Sequence, residues 1–309
     1  MECKMGGRAP ELGRRKLRMS SKAKDRILII GFLFIPMILL GLFSYYPLAK
    51  LIQLSFTDWN GMSPKLNYIG IRNYKDILSQ KELFSTFANN MAYVLTAILQ
   101  QFAGLFLAVL LNSNIRMKTT FRAILFMPYI INGVAVAFMF NYMYDYCNSP
   151  INLVLNALGV SSVHFISSSY MTNFALSFIS FWKYVGYTMV IYLAALQSIP
   201  SEVYEAARID GAGFFGTIAY ITFPNIKSML KVSLLLSLNG ALQVYFEPFL
   251  ITKGGPNGRT ATFISKSLEL AYNYRKYGKA ATMGVILLVM IMLLVVVQRV
   301  LLREEKADE

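Results

Sequence analysis

The chain has 309 residues, of which 56% are hydrophobic, with a mean hydropathy of +0.48 and a formal charge of +14. Soluble domains hold about 45–50% apolar residues. Here the excess is gathered into long runs nearly free of charge, which excludes a soluble globular fold. The basic residues flank those runs instead of alternating with aromatics, so they report membrane topology and argue against nucleic-acid binding.

A helix needs about 20 apolar residues to cross roughly 30 Å of hydrocarbon. Six stretches qualify: Ile27–Ala49, Phe87–Leu111, Phe121–Met143, Asn173–Leu196, Lys231–Ile251 and Lys279–Leu302. The expected fold is therefore an all-α membrane protein of six transmembrane helices. Its parts are a basic cytoplasmic tail over 1–26, a membrane domain over 27–302 and a charged cytoplasmic tail over 303–309. The first run is too long for a cleaved signal peptide and no small-residue cleavage site follows it.

Lys and Arg near the helix ends set the orientation. Lys4, Arg8, Arg14, Arg15, Lys16, Arg18, Lys22, Lys24 and Arg26 precede the first run, which places the N-terminus in the cytoplasm. Arg116, Lys118 and Arg122 mark the next inward loop, and the loop Tyr144–Thr172 holds no Lys or Arg and is expected outside. Six crossings return Arg299, Arg303 and Lys306 to the cytoplasm. The loop Thr252–Gly278 departs from the rule: parity puts it outside although it carries Lys253, Arg259, Lys266, Arg275 and Lys276. Cys3 and Cys147 are expected on opposite faces, and His164 is a lone, solvated histidine of an external loop. These leave no disulfide framework, no metal site and no catalytic residues.

Ser201–Leu230, between the fourth and fifth runs, is polar enough to leave the bilayer and strongly patterned. Pro200 closes the fourth helix, Ser201 is a good N-cap, and Glu202 sits in the first turn where the helix dipole favours it. Val203, Ala206, Ala207 and Ile209 then give a short helix broken by Gly211 and Gly213. A second short helix through Phe214, Phe215, Ile218 and Ile221 is expected to end before Pro224. Exposed Phe214 and Phe215, small Ala206 and Ala207, and charged Glu205 and Asp210 suit a docking surface for another protein. The same residues also suit a hairpin packing on its own bundle.

Polar residues within the runs mark a candidate solute path, because such residues usually face a bundle interior or a cavity. The fifth run carries Ser233, Ser237, Asn239, Gln243, Tyr245 and Glu247. Trp182, Lys183, Tyr184 and Tyr187 lie on the fourth, and Tyr129 follows Pro128 on the third. Aromatic faces beside amides and hydroxyls suit a sugar. The same residue types also serve as interface anchors and interhelical hydrogen bonds. Lys183 and Glu247 are placed to form a salt bridge near the outer membrane face.

The spacing Glu205-Ala206-Ala207, Gly211, Ile221, Pro224 resembles the signature loop of bacterial binding-protein-dependent ABC importer permeases, with Phe223 where that family usually has Leu. Leu54-Ser55-Phe56-Thr57-Asp58-Trp59, Ile69-Gly70-Ile71-Arg72-Asn73-Tyr74, Met127-Pro128-Tyr129 and Leu250-Ile251-Thr252-Lys253-Gly254-Gly255-Pro256 resemble its carbohydrate branch, of the maltose and glycerol-phosphate type. Lys253 stands where a Gly is usual.

The resemblance implies a permease subunit of the bacterial cytoplasmic membrane that moves a sugar or sugar-like solute by alternating access. Its implied partners are a second homologous permease, two ATPase subunits, an extracytoplasmic solute-binding protein and membrane lipid, with no nucleic acid. Glu205, Ala206, Ala207, Asp210, Gly211, Phe214, Ile221 and Pro224 would couple to the ATPase. Tyr129, Tyr187 and Ser237 fall where similar permeases contact substrate, and Gly133 where such a contact can be a serine. Trp182, Lys183, Gln243 and Glu247 complete the candidate path.

No G-x-x-x-x-G-K-[ST] phosphate loop is present, Gly278-Lys279-Ala280 being the nearest run. The chain itself is thus expected to hold no cofactor, with ATP and Mg on the partner. An importer of a non-carbohydrate solute is the alternative. A secondary transporter would not need the docking loop, and a membrane enzyme would need acid, His or metal-ligand clusters that the sequence lacks.

Overall fold

The structure, a computed structural model, describes residues 21–113, 115–166, 169–255 and 258–302, with side chains left out at 21–27, 169, 170 and 214. Cys3, most of the basic tail, Pro256, Arg303 and Lys306 lie outside the described residues. Among the described residues the chain is helical, with one isolated antiparallel bridge between Thr57 and Tyr68.

The chain divides into two compact units at Lys50–Leu51. The first holds α1 (Ser21–Leu40), a π-helical turn at Gly41–Tyr45 and the first half of α2 (Tyr46–Ser55). From Leu28 onward its side chains are exposed around the circumference, Phe32 at 84% and Phe43 at 70%. An apolar helix exposed on every side is stable only in lipid or against other apolar surfaces.

In the second unit, α3 (Arg72–Leu78) is short and α4 (Lys81–Asn112) is a long span. α5 (Lys118–Ile130) and α6 (Gly133–Met143) follow, then α7 (Pro150–Ala157) and the span α8 (Ser169–Gln197). α9 (Ser201–Ile209), α10 (Phe214–Thr217), a π-helical turn at Ile218–Thr222 and α11 (Phe223–Leu242) come next. α12 (Phe246–Leu250), α13 (Phe263–Tyr272) and the span α14 (Tyr277–Leu301) complete it.

Five helices are long and apolar enough to cross a membrane unaided. The sixth expected span, Phe121–Met143, is two helices bent by 97°. Pro128 removes an amide from the last turn of α5, and the Asn132 side chain accepts from Val134 N at 2.8 Å to cap α6. The pair still makes one crossing, because its neighbours run parallel. Asn89 faces Asn173, Thr96 faces Ser177 and Gln100 faces Thr188, a nearly constant offset along α4 and α8. Two parallel spans joined through α5 and α6 require that segment to run back across. α11 is antiparallel to α4, with Asn90 on Ala241 and Gln101 on Ser233.

Close approach holds the bundle together. A Cβ at Gly186 of α8 would stand 1.8 Å from the Leu125 carbonyl oxygen of α5. The end of α11 is bound by side chains, Asn90 Nδ2 donating to the Ala241 carbonyl at 2.9 Å and Thr262 Oγ1 to the Val244 carbonyl at 2.8 Å. These bonds satisfy carbonyls that a helix end leaves unpaired. They allow the fifth run to break at Gln243–Tyr245, where the sequence suggested a continuous helix. The expected loops at Tyr144–Thr172 and Thr252–Gly278 contain α7 and α13. α7 is capped by Ser149 and α13 by a Thr262–Ser265 capping box.

The end of the bundle away from α9 is tightly tied. Asn73 Nδ2 donates to the carbonyls of Ser55 at 3.1 Å and Thr57 at 2.7 Å, and Thr282 Oγ1 donates to Ser55 at 3.0 Å. Gly278 N donates to the Trp59 carbonyl at 3.0 Å. Lys279 pairs with Asp76 at 2.7 Å, which holds the Asp76 carboxyl below its ordinary range. Burial disfavours the Lys266 ammonium, yet hydrogen bonding and attraction from Glu269 at 3.0 Å and Glu82 at 3.5 Å win and raise its pKa.

Candidate solute cavity and coupling segment

Helices α4, α5, α8 and α11 enclose a cavity of about 380 Å³ that extends to the 243–247 turn. One wall is aromatic: Tyr129 stacks on Tyr187 with centroids 4.5 Å apart and meets Tyr184 edge-on at 6.0 Å. The facing wall is polar. Ser237 accepts from Gln101 Nε2 at 2.7 Å and from Gln100 Nε2 at 3.4 Å, and Gln100 also donates to Thr188 Oγ1 at 2.7 Å. Gln101 is further held by Ser233 at 2.9 Å and by the Tyr192 hydroxyl. Gln243 donates to Asn239 at the cavity's edge.

Six of the seven residues expected along the solute path line this cavity: Tyr129, Lys183, Tyr187, Ser237, Gln243 and Glu247. Trp182 does not. It points the other way along α8, edge-on to Phe140 at 5.3 Å and against an apolar cluster. A step of about 100° per residue separates it from Lys183. Gly133 is covered by Phe246, whose ring a Cβ there would meet at 2.8 Å, so no side chain reaches the cavity from that position without displacing it.

Lys183 and Glu247 are 8% and 7% exposed, and no ion pair joins them among the described residues. Ser180 donates to Glu247 at 3.2 Å, and the Lys183 ammonium lies 5.6 Å from the Tyr184 ring centroid. The expected salt bridge is therefore absent: each charge has its own partner, and both face the cavity. Tyr93 and Gln100 are lining residues the sequence reading missed. The signal was present in Asn89, Asn90, Gln100 and Gln101, four amides on one apolar helix, two close pairs about three turns apart.

At the other end, α9 presents two faces. Glu202, Glu205, Ala206 and Ile209 are exposed, Ile209 at 86%, whereas Tyr204 and Ala207 turn toward the bundle. Ala207 is 6% exposed and is not part of the outward surface expected for it, because it lies a helical step from Ala206. Asp210 is exposed. Gly211 ends the helix at φ +80°, and the Ala212 amide donates back to the Ala207 carbonyl at 2.9 Å. This is the left-handed C-terminal turn that glycine adopts without steric cost. The cap at the other end falls on Pro200, one residue before the expected Ser201.

The second helix does not end before Pro224. α10 passes through the π-helical turn directly into α11, with Ile221 in the turn and Pro224 in the first turn of α11. A π turn widens the ring of backbone bonds, which accommodates a residue that offers no amide. Phe215 and Tyr220 are 82% and 84% exposed, and the Phe214 side chain lies outside the described residues.

Residues 100–306, about two thirds of the chain and including this segment and most of the cavity lining, match the family described as binding-protein-dependent transport system inner membrane component. The chain belongs to this family. The permease is 32% identical over 279 residues to the probable ABC transporter permease protein YurN of Bacillus subtilis, covering 87% of this chain and 94% of that protein. It is 32% identical to the trehalose/maltose transport system permease protein MalF of Thermococcus litoralis, covering 89% and 94%. A solved bacterial ABC transporter involved in import of the acidic polysaccharide alginate shares the fold, with a TM-score of 0.79 and 24% identity over 92% of this chain and 98% of that one. The permease is thus a multi-pass membrane subunit of a binding-protein-dependent transporter.

Proposed function

We propose that the permease pairs with a second, homologous permease to import a sugar or sugar-like solute, with the 380 Å³ cavity as its share of the path. The observation that carries the reading is the pairing of wall chemistries. Stacked Tyr129 and Tyr187 offer a flat π surface to the apolar face of a pyranose, and Gln100, Ser237 and Asn239 on the facing side offer donors and acceptors to its hydroxyls. The name of the relative that carries trehalose and maltose supports the same class.

Two ATPase subunits hold the ATP and Mg, and this chain holds no cofactor. Glu205, Ala206, Asp210, Ile209 and Phe215 form the outward face that meets an ATPase subunit, with Gly211 fixing the bend between the two helices. Ile221 and Pro224 connect that bend to α11. The N- and C-termini and α9 lie on the cytoplasmic side, and an extracytoplasmic binding protein delivers solute to the opposite face. ATP-driven closure of the ATPase pair draws the two coupling segments together and exposes the cavity alternately to the two sides.

The test starts from the proposed binding protein, sought among the genes neighbouring that of this permease. Mass spectrometry of its co-purified ligand is expected to give a carbohydrate; an amino acid or peptide would overturn that assignment. Uptake of the identified ligand by the assembled transporter should fall about tenfold in Tyr187→Ala, as loss of one stacking contact implies. A cysteine at Ala206 should be labelled in inside-out vesicles and protected in intact cells.

A further inference from the structure

A second crevice, of about 210 Å³, opens between the inward face of α9, the π turn and the ends of α4 and α8. It shares no lining residue with the solute cavity. Its floor is apolar, from Val109, Leu196 and Ile218. Above the floor stand Tyr204, Arg208, Asn112 and Thr222.

Two of these groups lack protein partners among the described residues. The Tyr204 hydroxyl is buried with no hydrogen bond, and Arg208, an exposed residue, makes no ion pair or side-chain hydrogen bond. A buried hydroxyl without a partner bears its full desolvation penalty, so native structures rarely leave one. Among the described residues no carboxylate lines the crevice, so no protein anion there answers the guanidinium. A phenol, a guanidinium and a side-chain amide converge, and together they want an acceptor with several oxygens and negative charge. The planar fork of arginine fits phosphate oxygens best. The apolar floor beside these donors, at the ends of two apolar spans, matches an acyl chain entering below its headgroup.

We propose that this crevice binds a phosphate group, with an anionic phospholipid headgroup as the source the apolar floor favours and free inorganic phosphate as the other source of the same chemistry. The site stands whether or not the outward face of α9 docks an ATPase. Bound there, the phosphate would fasten α9 and the π turn to the ends of α4 and α8.

The test uses the purified full-length permease in detergent and native mass spectrometry. Phosphatidylglycerol is titrated against phosphate-free diacylglycerol, and inorganic phosphate is added as a competitor in a separate arm. Wild type should retain phosphatidylglycerol in preference to diacylglycerol. Arg208→Gln should lower retention about tenfold, the loss of roughly one charge-assisted hydrogen bond, and Tyr204→Phe about threefold. Leu158→Ala, exposed at the end of α7 and outside the crevice, should leave lipid retention as in wild type. Where Arg208→Gln fails to fold, Arg208→Lys decides, since it keeps the charge and loses the fork: an intermediate loss supports the site. Preference for phosphatidylglycerol that phosphate does not displace identifies the headgroup as the source. Phosphate binding that needs Arg208, without lipid preference, identifies the free anion. Retention unchanged in the Arg208 and Tyr204 variants, or equal retention of both lipids with no Arg208-dependent phosphate binding, overturns the proposal.

Discussion

The two ends of this bundle are built on opposite terms. At one, Asn73 joins the 55–59 segment to α3 and Thr282 and Gly278 join it to α14, through buried hydrogen bonds and backbone contact, and Lys279 closes on Asp76. At the other, α9, α10 and the π turn put Ile209, Phe215 and Tyr220 into solvent, and the side-chain hydrogen bonds of Thr217 and Asn225 stay within the segment. The first end satisfies itself. The second leaves apolar surface that only another chain would cover. Substitutions at the first should therefore act on folding, and substitutions at the second on assembly.

The largest stability effect belongs to Gly278→Val. A Cβ there would stand 1.9 Å from the Thr57 carbonyl oxygen, and that backbone has no room to retreat. The expected loss is about 3 kcal/mol, read as a lower melting temperature of the detergent-solubilised chain. Asn73→Ala comes next. It strands the Thr57 carbonyl in a buried site, while the Ser55 carbonyl keeps the Thr282 hydroxyl, and should cost about 2 kcal/mol in the same assay. Equal melting of Asn73→Ala and wild type would show that this end is not held as described.

Ile209→Asp with Phe215→Asp should move stability by no more than about 0.5 kcal/mol, since neither position is enclosed. It should abolish co-purification of the ATPase subunit. A double variant that melts early but still captures the ATPase would invert the comparison.

The smallest effect is a pH dependence. The folded Asp76 pKa is lowered, first by its hydrogen bond to Lys279 and then by attraction to that charge. Its contribution is fully present above the ordinary value of 3.8 and is lost as pH falls through the lower folded value. The pair is partly solvated, so the change is small. Asp76→Asn should remove that acid-side loss from the melting curve and leave neutral-pH melting almost as it was.

The spans were legible because lipid imposes long apolar runs, and the segment between the fourth and fifth was legible because its charges and glycines sit at fixed spacing. Direction was not. Hydropathy counts Phe121–Met143 as one run and is blind to the turn at Ile131, which a single asparagine cap creates. Pro224 signals a stop only where the bonding is α-helical, and the π turn suspends that condition. Trp182 was grouped with Lys183 by proximity in sequence, although a helix sends neighbours to different sides. α13 escaped notice because a ten-residue helix between loops carries no membrane-length signal. The amides of α4 are legible in the sequence. Their cost in lipid was the clue that the cavity lay on that side.

The uninterrupted passage from α10 through the π turn into α11 has a mechanical consequence. About 25 residues of helix, roughly 38 Å, separate Phe214 from Asn239 at the cavity wall. A push on the outer end of such a rod is not absorbed in a flexible joint. It arrives at Ser237 and Asn239 as a swing of the whole lever, and the break at Gln243–Tyr245 is the first place where the chain yields.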